Sequence, residues 1–320
     1  MADVLFCTDT FWAAQRTQIE SIAPGVDVVL LTGDAEVAPS DLERITMAFF
    51  SHDAWPERTA SFFGVVTRAS NLSWFHTMSA GVDNPVFGSF LDRGVQLTTS
   101  SGTSSKPIAR TVMMYLLALA RDLPRMMRAQ AASEWAWERW RELEGQRVAV
   151  LGYGPIGQEV ARLADAFGME PVIVRRSAVG DEPYEVRRLT DLAAVVGDVD
   201  ALVVALPLND DTRGIVSAEV IAAMGRDTFL VNVGRGELVD QPAMVEALTN
   251  GGLGGAGLDV TTPEPLPADH PLWSLPNVII TPHNSGSTDG AARRADDAFL
   301  ANLGHRVRGR PLVNEVAPRR

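Results

Sequence analysis

The sequence predicts an α/β protein with doubly wound parallel sheets in two domains. Three observations support this fold class: the 320-residue length, a hydrophobic content of 46%, and short apolar runs that alternate with amphipathic stretches. A chain of this length can bury two cores. Continuous apolar runs are typical of parallel strands, because helices cover both faces of such a sheet.

Six apolar runs follow residue 147, and we expect each to form a parallel strand. Helical periodicity separates them over residues 156–167, 217–224 and 241–249. Strands that alternate with helices predict the larger of the two domains. The six predicted strands are Val148–Leu151, Val172–Val174, Ala201–Val204, Phe229–Val231, Gly257–Asp259 and Val278–Ile280.

A smaller α/β unit precedes residue 100, with strand candidates at residues 4–6, 26–31, 48–50, 74–75 and 95–97. Helices are expected over residues 107–123 and 131–140, and the second of these carries three tryptophans. We expect those tryptophans in the core or in domain contacts; a dimer interface is the alternative, since exposed tryptophans are costly. A helix over residues 291–307 is expected to pack back on the first unit.

The composition limits the classes of function. With 40 acidic and 28 basic residues, the net charge of −12 disfavours binding to nucleic acid or to anionic membranes. No apolar run is long enough to span a membrane and the N-terminus lacks a signal-peptide pattern, so we expect a cytoplasmic protein. The single cysteine, Cys7, is expected to be a buried strand thiol, and no metal site is expected.

A glycine-rich loop predicts a dinucleotide site. The sequence Gly152-Tyr153-Gly154-Pro155-Ile156-Gly157 follows one predicted strand and opens a predicted helix, the context that a Rossmann phosphate loop requires. We expect pyrophosphate at the helix N-terminus, in contact with these six residues. Gly252–Gly257 has the same glycine spacing but follows a helix and enters a strand, so we expect a helix C-cap and a close backbone approach there.

The end of the next strand bears on the choice of cofactor. An acidic residue there binds the ribose hydroxyls of NAD, whereas this strand ends in Arg175-Arg176-Ser177. Two guanidinium groups and a hydroxyl can hold a 2′-phosphate, which favours NADP, with NAD as the other cofactor. The alternative is that both arginines are solvated and that Asp181 binds the ribose.

Three ionisable residues, Arg235, Glu264 and His283, follow late strands of the larger sheet. Ligands bind at the rim where the carboxyl ends of parallel strands meet, so we expect these residues close together. Hydride reduction of a ketone leaves an alkoxide, which needs a proton donor near neutral pH, and His283 fits that role. Glu264 would orient the imidazole and raise its pKa, and Arg235 would clamp a substrate carboxylate and polarise the carbonyl. The sequence therefore predicts a nicotinamide-dependent oxidoreductase acting on a small 2-keto or 2-hydroxy acid.

Several motifs resemble those of the D-isomer-specific 2-hydroxyacid dehydrogenase family, and within it the glyoxylate/hydroxypyruvate reductase branch. The resemblance covers most of the chain. It implies a homodimer of chains that each hold a flavodoxin-like substrate domain of residues 1–98 and 289–320 and a Rossmann domain of residues 99–288. The motifs are Ser79–Asp83, Gly152–Gly157, Leu206-Pro207 with Thr212–Gly214, Asn232–Asp240, Gly257–Pro267 and Pro282-His283.

The resemblance also implies a role for particular residues. Arg235, Glu264 and His283 match the catalytic three of the family, and the backbone amides of Ala80 and Gly81 match its substrate-carboxylate loop. Further cofactor contacts carry over to positions near the nicotinamide, with Asp259 at its carboxamide. These positions are Leu206, Pro207, Thr212, Val233, Gly234, Asp259 and His283.

Two segments depart from the usual family pattern. Ile108-Ala109-Arg110 replaces Val-Ala-Glu at the start of the interdomain helix, which bears on the hinge or dimer arm, and Asn284–Ser287 replaces a more apolar continuation. Other functions stay open. A non-catalytic dinucleotide-sensing protein on the same scaffold is the main alternative, phosphoglycerate dehydrogenase is another, and formate dehydrogenase is disfavoured because that branch has glutamine where Glu264 stands.

Overall fold

The computed structural model describes residues 3–33, 36–177 and 182–317. The chain divides into two compact units: Met1–Thr103 with Thr288–Arg320, and Ser104–Ser287. The boundaries expected after residue 98 and before residue 289 lie at residues 103 and 288. Both units are α/β with parallel sheets, as the sequence predicted.

The first unit holds a five-stranded parallel sheet in the order β2-β1-β3-β4-β5. This is the flavodoxin-like order, and all five expected strands are confirmed. Cys7 is a buried free thiol on β1, also as expected. The strands are β1 Val4–Thr8, β2 Asp27–Leu31, β3 Met47–Phe50, β4 Trp74–Thr77 and β5 Gln96–Thr99. The helices between them are α1 Asp9–Ile22, α2 Pro39–Leu42, α3 Thr59–Arg68 and α4 Pro85–Asp92.

The second unit holds a seven-stranded parallel sheet in the order β12-β11-β10-β9-β6-β7-β8. Its topology is that of a Rossmann fold, with the first strand, β6, at the point where the strand order reverses. The strands are β6 Arg147–Leu151, β7 Glu170–Arg175, β8 Glu185–Arg188, β9 Ala201–Val204, β10 Phe229–Asn232, β11 Gly255–Leu258 and β12 Val278–Ile280. The helices are α5 Ser105–Ala120, α6 Leu123–Ala131, α7 Pro155–Ala166, α8 Leu192–Val196, α9 Ala218–Ala223 and α10 Gln241–Thr249.

The helix expected over residues 131–140 is wrong. Ser133 adopts a left-handed φ of 58°, and the Glu134 amide donates to the Ala129 carbonyl at 2.8 Å, which closes α6 as a C-terminal cap. The residues that follow are irregular, and Trp135 and Trp137 are 96% and 75% exposed. These two tryptophans are therefore outside the core in which we expected them.

The last helix, α11 Asp289–Val307, returns to the first unit as expected. Its Phe299 stacks on Phe49 of β3, with ring centroids 4.5 Å apart, and on Trp74 of β4 at 5.4 Å. All three rings are fully buried, so burial of apolar area holds this helix in place.

Candidate active site

The three predicted catalytic residues follow adjacent strands of the second unit. Arg235 comes after β10, Glu264 after β11 and His283 after β12, and these strands are neighbours in the sheet. Their loops therefore leave the same rim, where open parallel sheets bind ligands.

The loop that carries Arg235 is fixed by a buried asparagine. Asn232 is 1% exposed; its Oδ1 accepts from the Gly234 amide at 3.0 Å and its Nδ2 donates to the Arg235 carbonyl at 2.9 Å. The next residue, Gly236, packs against the loop after β11, because a Cβ there would lie 2.1 Å from the Thr261 carbonyl oxygen. The backbone of the Arg235 loop thus touches the segment that leads to Glu264.

Glu264 and His283 form a hydrogen-bonded pair. His283 Nδ1 lies 2.8 Å from Glu264 Oε2, and the two side chains are 46% and 37% exposed. The bond to Glu264 raises the pKa of His283 above its ordinary 6.5, against burial and the Arg235 charge. Partial burial opposes ionisation of Glu264, but hydrogen bonds from His283 and the Thr261 amide outweigh it and lower the pKa of Glu264. The pair therefore favours imidazolium beside carboxylate.

Asp259 organises the loop on which His283 lies. The side chain is 3% exposed; Oδ1 accepts from Thr281 Oγ1 at 2.5 Å and from the Asn284 amide at 3.0 Å, and Oδ2 accepts from the Ser285 hydroxyl. His283 itself has a φ of +51°, and its amide donates to the Asp259 carbonyl at 2.8 Å. A left-handed histidine is uncommon, and these bonds hold the backbone in that conformation.

Sequence reasoning missed two residues that support this rim. Gln241 is 5% exposed and brackets Thr262, donating to its carbonyl at 2.6 Å and accepting from its amide at 2.9 Å. Tyr115 of α5 hydrogen-bonds to Thr281, and its ring lies where a side chain on Gly257 would clash. Gln241 was visible only as the first residue of a predicted helix, and Tyr115 only as an apolar position. No local pattern marked either residue as functional.

The glycine-rich loop has the geometry that pyrophosphate requires. Gly152 has a φ of +102°, and a Cβ on Gly157 would lie 2.0 Å from the Gly152 carbonyl oxygen, so these two glycines permit the turn and the close packing. A Cβ on Gly154 would meet nothing within 4 Å. Helix α7 begins directly after Gly154 with no side-chain cap, so no capping side chain competes with an anion for its first amides. The loop therefore fits a dinucleotide.

The second glycine pattern does not have this geometry, as the sequence predicted. The Gly252 amide donates to the Ala247 carbonyl at 2.7 Å, which closes α10. Gly257 lies within β11, where a Cβ would come 2.5 Å from the Tyr115 ring. These glycines cap a helix and allow close packing.

Two further predicted cofactor loops adjoin each other. Thr212 is 3% exposed, and its hydroxyl donates to the Pro207 carbonyl at 2.7 Å, so it shapes the Leu206-Pro207 loop from within. A Cβ on Gly234 would lie 3.0 Å from the Leu206 carbonyl oxygen, which places the Val233-Gly234 backbone beside that loop. Contacts of these residues with a nicotinamide ring stay a prediction.

The two arginines at the end of β7 both have acidic partners. Arg175 Nη1 donates to Glu182 Oε1 at 2.8 Å, and Arg176 Nη2 donates to Asp211 Oδ2 at 3.0 Å. Arg176 and Asp211 are nonetheless mostly exposed, at 69% and 73%, so both interpretations of the cofactor choice stay predictions. Ser177 is exposed. Asp181, the alternative ribose ligand, lies outside the described residues.

Ala80 and Gly81 belong to the first unit. They lie in the loop that follows β4, at the carboxyl end of that sheet. Ala80 is exposed and Gly81 is half-buried. The structure thus brings Arg235, Glu264 and His283 together on one unit, and it places these two residues on the other unit.

The chain is similar in sequence to a known protein family. Residues 113–285 match the NAD binding domain of the D-isomer specific 2-hydroxyacid dehydrogenases, which is more than half of the chain. The chain belongs to that family. It is thus an NAD(P)-dependent 2-hydroxyacid dehydrogenase, related to the glyoxylate/hydroxypyruvate reductases.

Individual relatives agree with this assignment. The dehydrogenase is 33% identical to a glyoxylate/hydroxypyruvate reductase of Arabidopsis thaliana over 74% of each chain. It is 34% identical to the D-3-phosphoglycerate dehydrogenase of Methanocaldococcus jannaschii over 79% of this chain, but the match spans only 49% of that longer protein. A D-isomer specific 2-hydroxyacid dehydrogenase of Xanthobacter autotrophicus Py2, solved with NADPH and MES, is 30% identical, with a TM-score of 0.80 over 99% of this chain and 98% of the other.

Within residues 3–33, 36–177 and 182–317, no group of three or more His, Cys, Asp or Glu side chains could hold a metal ion. No helix in those ranges is long and apolar enough to cross a membrane.

Proposed function

We propose that this dehydrogenase transfers hydride between NAD(P)H and C2 of a small 2-keto or 2-hydroxy acid, with glyoxylate and hydroxypyruvate as the first substrates to test. The 2.8 Å bond between His283 Nδ1 and Glu264 Oε2, with the Arg235 charge acting on both groups, supports the proposal most directly. The relatives named glyoxylate/hydroxypyruvate reductase support the choice of substrate.

His283 is the proposed acid/base. When bound, the dinucleotide supplies the hydride for C2 in reduction or accepts it in oxidation. Because Nδ1 is engaged by Glu264, Nε2 is the ring atom that gives its proton to the developing alkoxide oxygen. The Glu264 carboxylate stabilises the imidazolium before the transfer and fixes the ring plane. In oxidation His283 starts neutral and takes the hydroxyl proton.

Arg235 is the proposed substrate clamp. A planar guanidinium can bind a carboxylate through two parallel hydrogen bonds, and its charge polarises the adjacent carbonyl. The backbone amides of Ala80 and Gly81 are proposed to bind substrate carboxylate as well, a role that rests on the family resemblance of the Ser79–Asp83 motif.

The proposed cofactor residues are those that fit a dinucleotide at the rim of the second sheet. The Gly152–Gly157 loop would hold pyrophosphate, and Leu206, Pro207, Thr212, Val233 and Gly234 would line the nicotinamide end. Asp259 was expected at the carboxamide, but its carboxylate oxygens already accept hydrogen bonds from Thr281, Asn284 and Ser285 of the loop after β12, so we propose that it acts by positioning His283.

We propose NADP as the preferred cofactor and NAD as a second one. Arg176 and Ser177 support NADP because they offer an exposed guanidinium and a hydroxyl beside the end of β7, where Arg175 lies paired with Glu182. The Xanthobacter relative was solved with NADPH, which is consistent with this choice.

A panel of 2-keto acids, assayed with NADPH and NADH in parallel, tests the proposed function. We expect consumption of NADPH with glyoxylate or hydroxypyruvate, and a loss of roughly 10²- to 10⁴-fold in rate for His283→Ala. His305→Ala, a histidine on α11 in the first unit, is the control and should keep the rate. A His283→Ala rate equal to that of the control would contradict the proposed acid/base. Dinucleotide binding with no turnover across the panel would favour the non-catalytic sensing protein.

We also propose that the dehydrogenase is a homodimer. A groove of about 640 Å³ on the second unit is lined mainly by apolar side chains of α5, α6 and α7, and also by Arg110 and Arg121. Met114 is 46% exposed and Phe167 is also 46% exposed, a cost that a second copy would remove. The net charge of −12 disfavours an anionic membrane as the occupant of the groove.

A cytoplasmic location stays a prediction that cell fractionation checks.

A further inference from the structure

One arginine at the end of β7 is paired with a buried carboxylate. Arg175 Nη1 lies 2.8 Å from Glu182 Oε1, and the Glu182 side chain is only 4% exposed. A carboxylate so far removed from water stays ionised only beside a cation that compensates its desolvation. Arg175 supplies that cation, so the two side chains form a fixed pair with no net charge.

The same guanidinium lies against the glycine-rich loop. The Cζ atom of Arg175 is 5.9 Å from the centroid of the Tyr153 ring. Tyr153 is the second residue of that loop, and a guanidinium prefers the face of an aromatic ring. The Tyr153 ring and the Glu182 carboxylate thus both hold Arg175 beside the Gly152–Gly157 loop, the proposed pyrophosphate site.

Arg176 is held quite differently. Its partner is Asp211, at 3.0 Å, and the two side chains are 69% and 73% exposed. An ion pair open to solvent contributes about 0–1 kcal/mol and separates easily. Arg176 can therefore leave Asp211 and present its whole charge to an incoming anion, whereas the charge of Arg175 is already cancelled.

We propose that Glu182 sets how strongly the dehydrogenase prefers a 2′-phosphorylated dinucleotide, because it cancels the charge of Arg175 and leaves phosphate recognition to Arg176. This inference rests on the proposed function, which assigns a dinucleotide to the Gly152–Gly157 loop. A neutral pair adds little attraction for a phosphate dianion, whereas an uncompensated guanidinium at the same place adds a great deal. With Glu182 present, the chain binds both NADP and NAD.

Two small ligands isolate the 2′-phosphate. Adenosine 2′,5′-bisphosphate and 5′-AMP differ only in that group and carry no nicotinamide, so their binding is independent of hydride transfer. Isothermal titration calorimetry on the full chain gives the ratio of their dissociation constants, which is the phosphate preference. We expect Glu182→Gln to increase this preference about tenfold and to leave the affinity for 5′-AMP within about threefold. We expect Arg176→Gln to decrease it about tenfold.

A matched control and a double variant make the test decisive. Glu159→Gln removes a carboxylate that pairs with Arg162 at 2.7 Å on α7, and it should leave the preference unchanged. The double variant Glu182→Gln/Arg175→Gln removes both members of the ion pair together, so it should fold and keep the wild-type preference within about threefold.

Three results would overturn the inference. The first is a Glu182→Gln preference equal to or below that of the Glu159→Gln control. The second is a drop of tenfold or more in the double variant, since Arg175 would then carry the phosphate itself. Failure of the wild-type chain to bind either ligand would overturn the proposed dinucleotide site, and this inference with it. Thermal melts of each variant separate loss of folding from loss of binding.

Discussion

At the scale of single residues, the hydrogen bond between Glu264 and His283 determines where the proposed acid/base titrates. The pKa of His283 is raised above 6.5 by that bond, so the protonated ring persists to higher pH than a free imidazole would. Reduction needs the protonated form. The kcat/KM for reduction should therefore be high at low pH and fall as the pH rises through this pKa. The kcat/KM for oxidation, which needs the neutral ring, should rise through the same pKa.

Replacing the Glu264 carboxylate should shift the pH at which kcat/KM for reduction falls. In Glu264→Gln the ring loses its anionic partner, so the fall in kcat/KM for reduction should occur at lower pH than in the wild-type enzyme. A pH profile of NADPH oxidation measures this. Glu246→Gln, an exposed position on α10, is the control and should leave the profile in place. If kcat/KM falls at the same pH in Glu264→Gln as in the wild-type enzyme, the proposed role of Glu264 is wrong.

The clamp at Arg235 depends on shape as well as charge. Arg235→Lys keeps the charge but loses the planar pair of donors, so kcat/KM should fall by about 10- to 100-fold, the effect of one charge-assisted hydrogen bond. Steady-state kinetics with the best keto acid from the panel measure it. Arg226→Lys, an exposed arginine that contacts Gly251, should behave as wild type. Equal kinetics for the two variants would count against a bidentate clamp.

The sequence predicted the three candidate catalytic residues better than it predicted the residues that position them. Arg235, Glu264 and His283 follow recognisable strands, so their convergence at one rim came from topology alone. Asp259 also follows a strand, but its partners Thr281 and Ser285 lie more than twenty residues later. Only the folded backbone brings those hydroxyls and amides to its carboxylate, so a role in positioning was not readable from the pattern.

At the scale of elements, two glycines of the glycine-rich loop are expected to have different roles, Gly157 in folding and Gly154 in binding. A Cβ on Gly157 would lie 2.0 Å from the Gly152 carbonyl, whereas one on Gly154 would meet nothing within 4 Å. Gly157→Ala should therefore cost about 1–3 kcal/mol of folding stability, as overpacking does. Gly154→Ala should stay within about 0.5 kcal/mol of wild type but bind NADP about tenfold more weakly, because the methyl group fills the pyrophosphate space.

Thermal denaturation with and without NADP, together with calorimetric titration, measures both effects. The two variants are controls for each other, since each adds one methyl group to the same loop. Wild-type affinity in Gly154→Ala would show that the pyrophosphate lies elsewhere.

Most elements were predictable because their sequence periods are simple, and the exceptions have physical reasons. Strand β8 reads Glu-Val-Arg-Arg and was missed, because an edge strand needs little apolar surface. The tryptophan-containing segment after α6 looked helical, but a left-handed turn at Ser133 ends the helix first. Local pattern alone carried no signal for that turn, since serine is not a usual C-cap residue.

At the scale of the whole molecule, the apolar groove predicts a second copy of the chain. Met114→Glu places a carboxylate in that groove, and its desolvation between two chains of net charge −12 would oppose association, so we expect monomers. Sedimentation equilibrium measures the mass. Val313→Glu, at an apolar position on the first unit that is 52% exposed against 46% for Met114, should remain dimeric. A wild-type chain that sediments as a monomer would contradict the homodimer.

Strand β8 has one further consequence for the molecule. It is the terminal strand of the seven-stranded sheet, and its backbone pairs only with β7 among the described strands. An open sheet edge is a template on which other chains can add a strand and aggregate. The exposed Glu185, Arg187 and Arg188 side chains make such stacking unfavourable, because a neighbour would have to desolvate them. The charges that concealed this strand from sequence analysis thus protect the protein against fibril-like assembly at high concentration.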